Sequence, residues 1–232
     1  MVDLNALTAA NAKLWQNAKL TRSFTRVGRR LVAADAKSRY KAVSSKTGVP
    51  WAVIAVIHQR ECSQNWAGSL AQGDPWNRIS IHVPAGRGPF RSWEDAAVDA
   101  LVSCAPYAAR NKDWSIGPTL TMLEQYNGLG YAARGKPSPY IWSGTDQYRS
   151  GKYVRDGVYD PNVVDSQLGC AGLLKAMMAL DPTITFTGTT ITPSTPPSPA
   201  ERPVAPSIAH PAKGSIGAFI ANIFNVVSRR KS

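Results

Sequence analysis

The stretch Gly48-Val-Pro-Trp-Ala-Val-Ile-Ala-Val-Ile-His-Gln-Arg-Glu61 decides the fold. From Trp51 to His58 it is apolar almost all round, which leaves a buried helix or a buried strand. Pro50 at a first-turn position and the alanines favour helix. Gly48 and Pro50 also close the segment before it, a helical stretch predicted from about Ser23 to Ser44. That stretch carries Phe24, Val27, Leu31, Val32, Tyr40 and Val43 between basic positions. Further back, Asp3 is placed to cap a first helix bearing Leu4, Leu7 and Leu14.

Downstream of Glu61, residues 66–91 are rich in Gly and Pro, so turns dominate. Within them Arg78-Ile-Ser-Ile-His-Val83 alternates and predicts a short hairpin strand. Ser92-Trp-Glu-Asp95 reads as a helix start with acids in its first turn. Ser115 opens another helix running through Leu120, Leu123 and Tyr126. A last core helix is expected over roughly Asn162 to Leu180, stopped by Asp181-Pro182. The pattern is a mainly α (α+β) domain over residues 1–182 with a small β-hairpin lobe.

The chain has 232 residues and 44% hydrophobic content, enough for one well-buried core. Charged residues make up 18%, which argues against global disorder. No apolar run reaches the ~20 residues of a membrane-spanning helix. Cys62, Cys104 and Cys170 cannot form a disulfide framework and read as small buried hydrophobes of a reducing compartment, with a single disulfide as the unsupported alternative. The net charge of +12 is uneven: residues 1–50 hold +8, residues 51–200 are neutral and residues 201–232 hold +4. Basic ends attract a polyanion, whether nucleic acid, an anionic lipid surface or an acidic wall polymer.

Four Glu occur, at 61, 94, 124 and 201. Glu94, Glu124 and Glu201 read as polar or helix-surface positions. Glu61 instead follows the most apolar segment and precedes an aromatic, Gly-rich stretch. A carboxyl held there loses solvation, its neutral form is favoured, and it can donate a proton near neutral pH. Arg60 is adjacent, but neighbouring helix positions point in different directions. The alternative is an ion pair between Glu61 and a basic residue of the second helical stretch.

A buried helix ending in Glu, then a Gly-rich lobe, then Tyr126-Asn-Gly128, resembles the lysozyme-like peptidoglycan hydrolases and lytic transglycosylases. Leu70-Ala-Gln-Gly-Asp-Pro75, His82-Val-Pro-Ala-Gly-Arg-Gly-Pro-Phe90, Ser92-Trp-Glu94 and Tyr126-Asn-Gly-Leu-Gly-Tyr131 are similar to blocks of phage-type endolysins. The resemblance spans about residues 35–180. It implies a lysozyme-like fold and cleavage of the MurNAc–GlcNAc β-1,4 bond, with Glu61 as general acid. It also implies catalytic candidates in Asp74 and Tyr126, with His58, Trp66, Trp76, Ser80, Asn127 and Tyr131 facing the substrate. Tyr140 and Trp142 flank the same region. Asp74 lies thirteen residues after Glu61, further than in the Glu, Asp, Thr pattern of some phage lysozymes. Shaping the Gly-Asp-Pro turn is therefore its other reading.

No metal or organic cofactor is expected. His58, Glu61 and His82 could in principle hold a metal, but the chain has only three His and shows no signature of residues that would orient them. A Ser or Cys nucleophile lacks its usual context, and the basic N-terminal helices carry no nucleic-acid recognition motif. Residues 183–214 hold seven Pro and seven Thr and read as a disordered linker. Beyond it, Ile216, Phe219, Ile220, Ile223, Phe224 and Val227 form one apolar helical stripe, followed by Arg229-Arg-Lys231. This basic amphipathic tail helix over 215–232 is expected to lie on an anionic membrane surface. The first sixteen residues lack the pattern of a secretory signal. The expectation is a monomer that waits in the host cytoplasm until it is released to the cell wall.

Overall fold

The computed structural model describes residues 1–186; the linker and tail readings for 187–232 lie outside the described residues. Nine α-helices and a two-stranded sheet are described. The helices are α1 (Leu4–Asn17), α2 (Thr25–Leu31), α3 (Ala34–Thr47), α4 (Trp51–Cys62) and α5 (Trp93–Val102). After a 3₁₀ turn (Ala108–Arg110) come α6 (Ile116–Asn127), α7 (Gly130–Ala133) and α8 (Pro139–Trp142). Strands β1 (Lys152–Arg155) and β2 (Val158–Asp160) precede α9 (Cys170–Leu180). The mainly α expectation holds.

The deciding stretch is a helix. α4 buries Ala52 through His58 without interruption and packs against α2, α3, α6 and α9. A helix surrounded by other helices has no solvent face to keep polar, so its pattern is apolar on every side. Its start is held by Pro50, whose carbonyl accepts from Val53 and Ile54. Its end is abrupt: Ser63 and Gln64 take φ of 54° and 61°, and their N–H groups donate to Gln59 and His58 carbonyls.

Local chemistry places most other boundaries. Asp3 accepts from the N–H groups of Asn5 and Ala6 at the start of α1, and Ser92 accepts from Asp95 at the start of α5. Gly48 ends α3 with φ 74°, a left-handed conformation that costs a glycine nothing.

Three expectations need correction. The helix predicted over Ser23 to Ser44 is two helices, because its apolar residues serve different neighbours. Phe24 and Gly28 press on α9, where a Cβ on Gly172 would lie 2.2 Å from the Phe24 ring, whereas α3 packs on α4 and α5. The helix predicted from Asn162 begins only at Cys170.

The hairpin strand at Arg78–Val83 is absent. The consecutive N–H groups of Ile81 and His82 both donate to Asp74 Oδ2, each at 2.9 Å. Consecutive amides of a strand point to opposite sides and cannot share one acceptor. The described hairpin lies instead at 152–160, with Tyr153 opposite Tyr159 and Asp156-Gly157 at its turn. Asp-Gly is a strong hairpin signal.

Candidate functional site

Glu61 occupies the last turn of α4. Its residue keeps partial solvent contact, but its carboxyl is ringed by protein. Burial pushes its pKa from the ordinary 4.5 up to about 7, against the lowering effects of a Tyr140 hydrogen bond and the Arg60 charge. The negative end of the α4 dipole acts in the same direction as burial. Tyr140 Oη donates to Glu61 Oε1 at 2.8 Å. No salt bridge to Glu61 is found among the described residues, so the ion-pair alternative is not realised.

Arg60 turns away. Its guanidinium pairs with Asp165 at 3.0 Å and stacks on the Tyr140 ring at 4.7 Å. Asp165 is 1% exposed and also takes Lys152 at 2.7 Å. Burial alone would raise its carboxyl, but the two cations outweigh this and hold it below the usual carboxylate range. Arg60 is thus paired with Asp165 while its guanidinium lies over the Tyr140 ring. The tyrosine is held between the arginine face and the acid it serves.

Tyr126 lies within the electrostatic reach of Glu61, which raises its phenol further after burial has done so. Its hydroxyl donates to the Leu70 carbonyl at 2.9 Å, fastening α6 to the 69–74 turn. That turn also approaches α4: a Cβ on Gly73 would sit 3.4 Å from the Glu61 carbonyl oxygen. Asn127 is half-buried beside it.

Asp74 is occupied. Beyond the two amides, its Oδ1 meets His82 Nδ1 at 2.6 Å. Burial would raise its pKa, but the His82 and Ile81 hydrogen bonds prevail and lower it. Ser80 is tied down similarly: its Oγ donates to the Pro84 carbonyl and accepts from the Arg87 N–H, both at 2.9 Å. Both side chains fasten the 78–90 loop.

His58 is fully buried. Its Nε2 faces the Asn65 carbonyl at 3.1 Å and its Nδ1 the Tyr40 hydroxyl at 2.9 Å. A carbonyl only accepts, so Nε2 carries the proton. Burial lowers the pKa to about 4, leaving the ring neutral. His58 braces the end of α4 from inside, closed off from solvent. Tyr131, 2% exposed, likewise points inward, its hydroxyl accepting from the Tyr153 N–H at 3.0 Å. Trp66 packs edge-on against Trp93 at 4.6 Å under Arg39, and Trp76 Nε1 donates to the Trp66 carbonyl at 2.8 Å. Both tryptophans remain half-buried, with part of each surface open to solvent.

Tyr140 is the site residue that sequence reasoning counted only as a flanking aromatic. It lies 79 residues from Glu61, and no local pattern links the two. A second correction concerns Glu124, read as a surface acid. It is 2% exposed beneath α1, where Asn11 Nδ2 donates to it at 3.3 Å, and burial raises its pKa to about 7. A raised carboxyl alone therefore does not mark the site. Glu124 is buried as a whole residue, whereas Glu61 has its carboxyl enclosed but keeps part of the residue in contact with solvent. A concavity of about 340 Å³ between α1 and the start of α6 contains none of the predicted site residues.

The sign of the Glu124 effect is testable. A buried acid with a folded-state pKa near 7 and an ordinary value of 4.5 holds its proton more tightly when folded. Its stabilisation is full below about pH 4.5 and is lost as pH rises through about 7. Glu124→Gln is expected to be more stable than wild type at pH 8 by on the order of 2–3 kcal/mol, and equal to it near pH 4. Urea unfolding at the two pH values checks this. Identical pH slopes in the two proteins would refute it.

Comparison with known proteins gives no match: no family model, curated protein or solved structure is similar to this chain.

Proposed function

We propose that this protein is a peptidoglycan hydrolase of the endolysin type, cleaving the MurNAc–GlcNAc β-1,4 bond with Glu61 as general acid. The observation that carries the reading is the Glu61 carboxyl: enclosed by protein on a residue that keeps partial solvent contact, without a salt-bridge partner among the described residues, and near pKa 7. An acid matched to neutral pH protonates a glycosidic oxygen most effectively. The Glu61 proton moves to the bridging oxygen as the C–O bond breaks. The resulting carboxylate then takes a proton from the water that attacks the anomeric carbon. Tyr140, hydrogen-bonded to Oε1, fixes the orientation of the acid.

A second reading, a lytic transglycosylase, is favoured by the state of Asp74. Both its oxygens are committed to His82 and Ile81, so it is a poor nucleophile. The substrate's own 6-hydroxyl would then attack and yield an anhydro sugar. Purified sacculi digested by the full chain decide between these readings. Hydrolysis releases reducing muropeptides; the transglycosylase releases products lighter by one water. No soluble product at all overturns both and leaves a wall-binding module.

The pH dependence provides a further check. Activity requires protonated Glu61, so it should fall as pH rises through about 7. The Tyr140 hydrogen bond lowers the Glu61 pKa. Tyr140→Phe should therefore shift the alkaline limb upward, by about one pH unit for a neutral hydrogen bond to a charged group. An unshifted limb would mean that the limb does not belong to Glu61.

A further inference from the structure

The 78–90 loop combines two features, exposed apolar side chains and a tightly bonded backbone. Ile79, Ile81 and Val83 are 62%, 79% and 40% exposed, three large apolar side chains within five residues. Their backbone is nevertheless tightly held. Asp74 takes the amides of Ile81 and His82, and Ser80 bonds to Pro84 and Arg87. Gln72 donates to the Pro84 carbonyl at 3.3 Å, and Arg87 is ion-paired with Asp99. Alternate residues thus point inward as anchors while the isoleucines point out. A loop serving only as a connection gains nothing from exposed isoleucines, whose hydration is unfavourable.

The charge around them selects the partner. From Pro75 to Ser92 there is no Asp or Glu, while Arg78 and Arg91 are exposed on either side. A second copy of this chain, at net charge +12, would bring like charges together. An interface that offers negative headgroups above apolar chains fits both features at once. Among the described residues no helix is long and apolar enough to cross a membrane, so contact through this loop would be peripheral.

We propose that the Ile79–Val83 loop is a preformed docking element for anionic phospholipid surfaces, independently of the reading of Glu61. Because the loop is already ordered, its insertion carries little conformational cost. The test uses the full chain and co-sedimentation with phosphatidylglycerol/phosphatidylcholine vesicles. The double variant Ile79→Ser/Ile81→Ser is compared with Val164→Ser, a comparably exposed site outside the loop (59%). The double variant should partition about tenfold less, or weaker still, with an unchanged melting temperature. Val164→Ser should match wild type, and pure phosphatidylcholine vesicles should bind weakly. Unchanged partition in the double variant overturns the proposal. So does equal binding to neutral vesicles, a loss confined to sacculus binding, or a loss explained by dissociation of a dimer in light scattering.

Discussion

Glu61→Gln is expected to lower peptidoglycan turnover by about 10²–10⁴-fold, the usual contribution of a positioned general acid. The amide keeps the size of the carboxyl and still accepts from Tyr140, but it has no proton acidic enough to give a leaving alkoxide. Folding should survive. A neutral amide costs less to bury than a carboxylate, so the variant should melt no lower than wild type at neutral pH, and wall pelleting should persist. Loss of turbidity in permeabilised cells, followed for both proteins, measures the effect. Retained lysis by the variant would remove Glu61 from the chemistry. A variant that also stops binding sacculi would show that the carboxyl holds the substrate instead of reacting with it.

Phe24→Ala is expected to cost about 3–5 kcal/mol, as removal of a fully buried ring usually does. Phe24 is 2% exposed, and its ring fills the space left by two glycines. A Cβ on Gly172 would sit 2.2 Å from it, and one on Gly144 2.8 Å. The ring therefore joins the entry to α2 with α9 and the turn after α8. Because α8 carries Tyr140, loosening this junction should also disturb the acid's partner. Urea denaturation gives the stability change, and the midpoint should fall with little change in slope. A midpoint close to wild type would show that the ring is not the plug it is taken to be.

The legible parts of this protein are those fixed by neighbours in sequence. The all-round apolar character of Trp51–Ile57 identifies a buried helix. Asp3, Gly48 and Ser92 mark helix ends because their chemistry acts within a few residues. Misreadings came where an identical local pattern serves another purpose. Alternation in Arg78–Val83 reflects a loop pinned by Asp74, not a ladder. Glu124 lies two residues before Tyr126 on a helix that reads as amphipathic, yet α1 covers it. Asp156-Gly157 carried a usable hairpin signal between the two strands that form.

By itself the sequence determined the central helix, the carboxyl at its end and the helical class of the domain, since backbone hydrogen bonding and burial periodicity are short-range. Only the tertiary structure decided which acid residue keeps solvent contact and which is wholly buried, which cation is paired and which hydroxyl holds the acid. Those outcomes join residues such as Glu61 and Tyr140, Arg60 and Asp165, or Asn11 and Glu124, separated by 79, 105 and 113 positions. Desolvation and charge pairing act through space, and their strength depends on what the folded chain brings within a few ångströms.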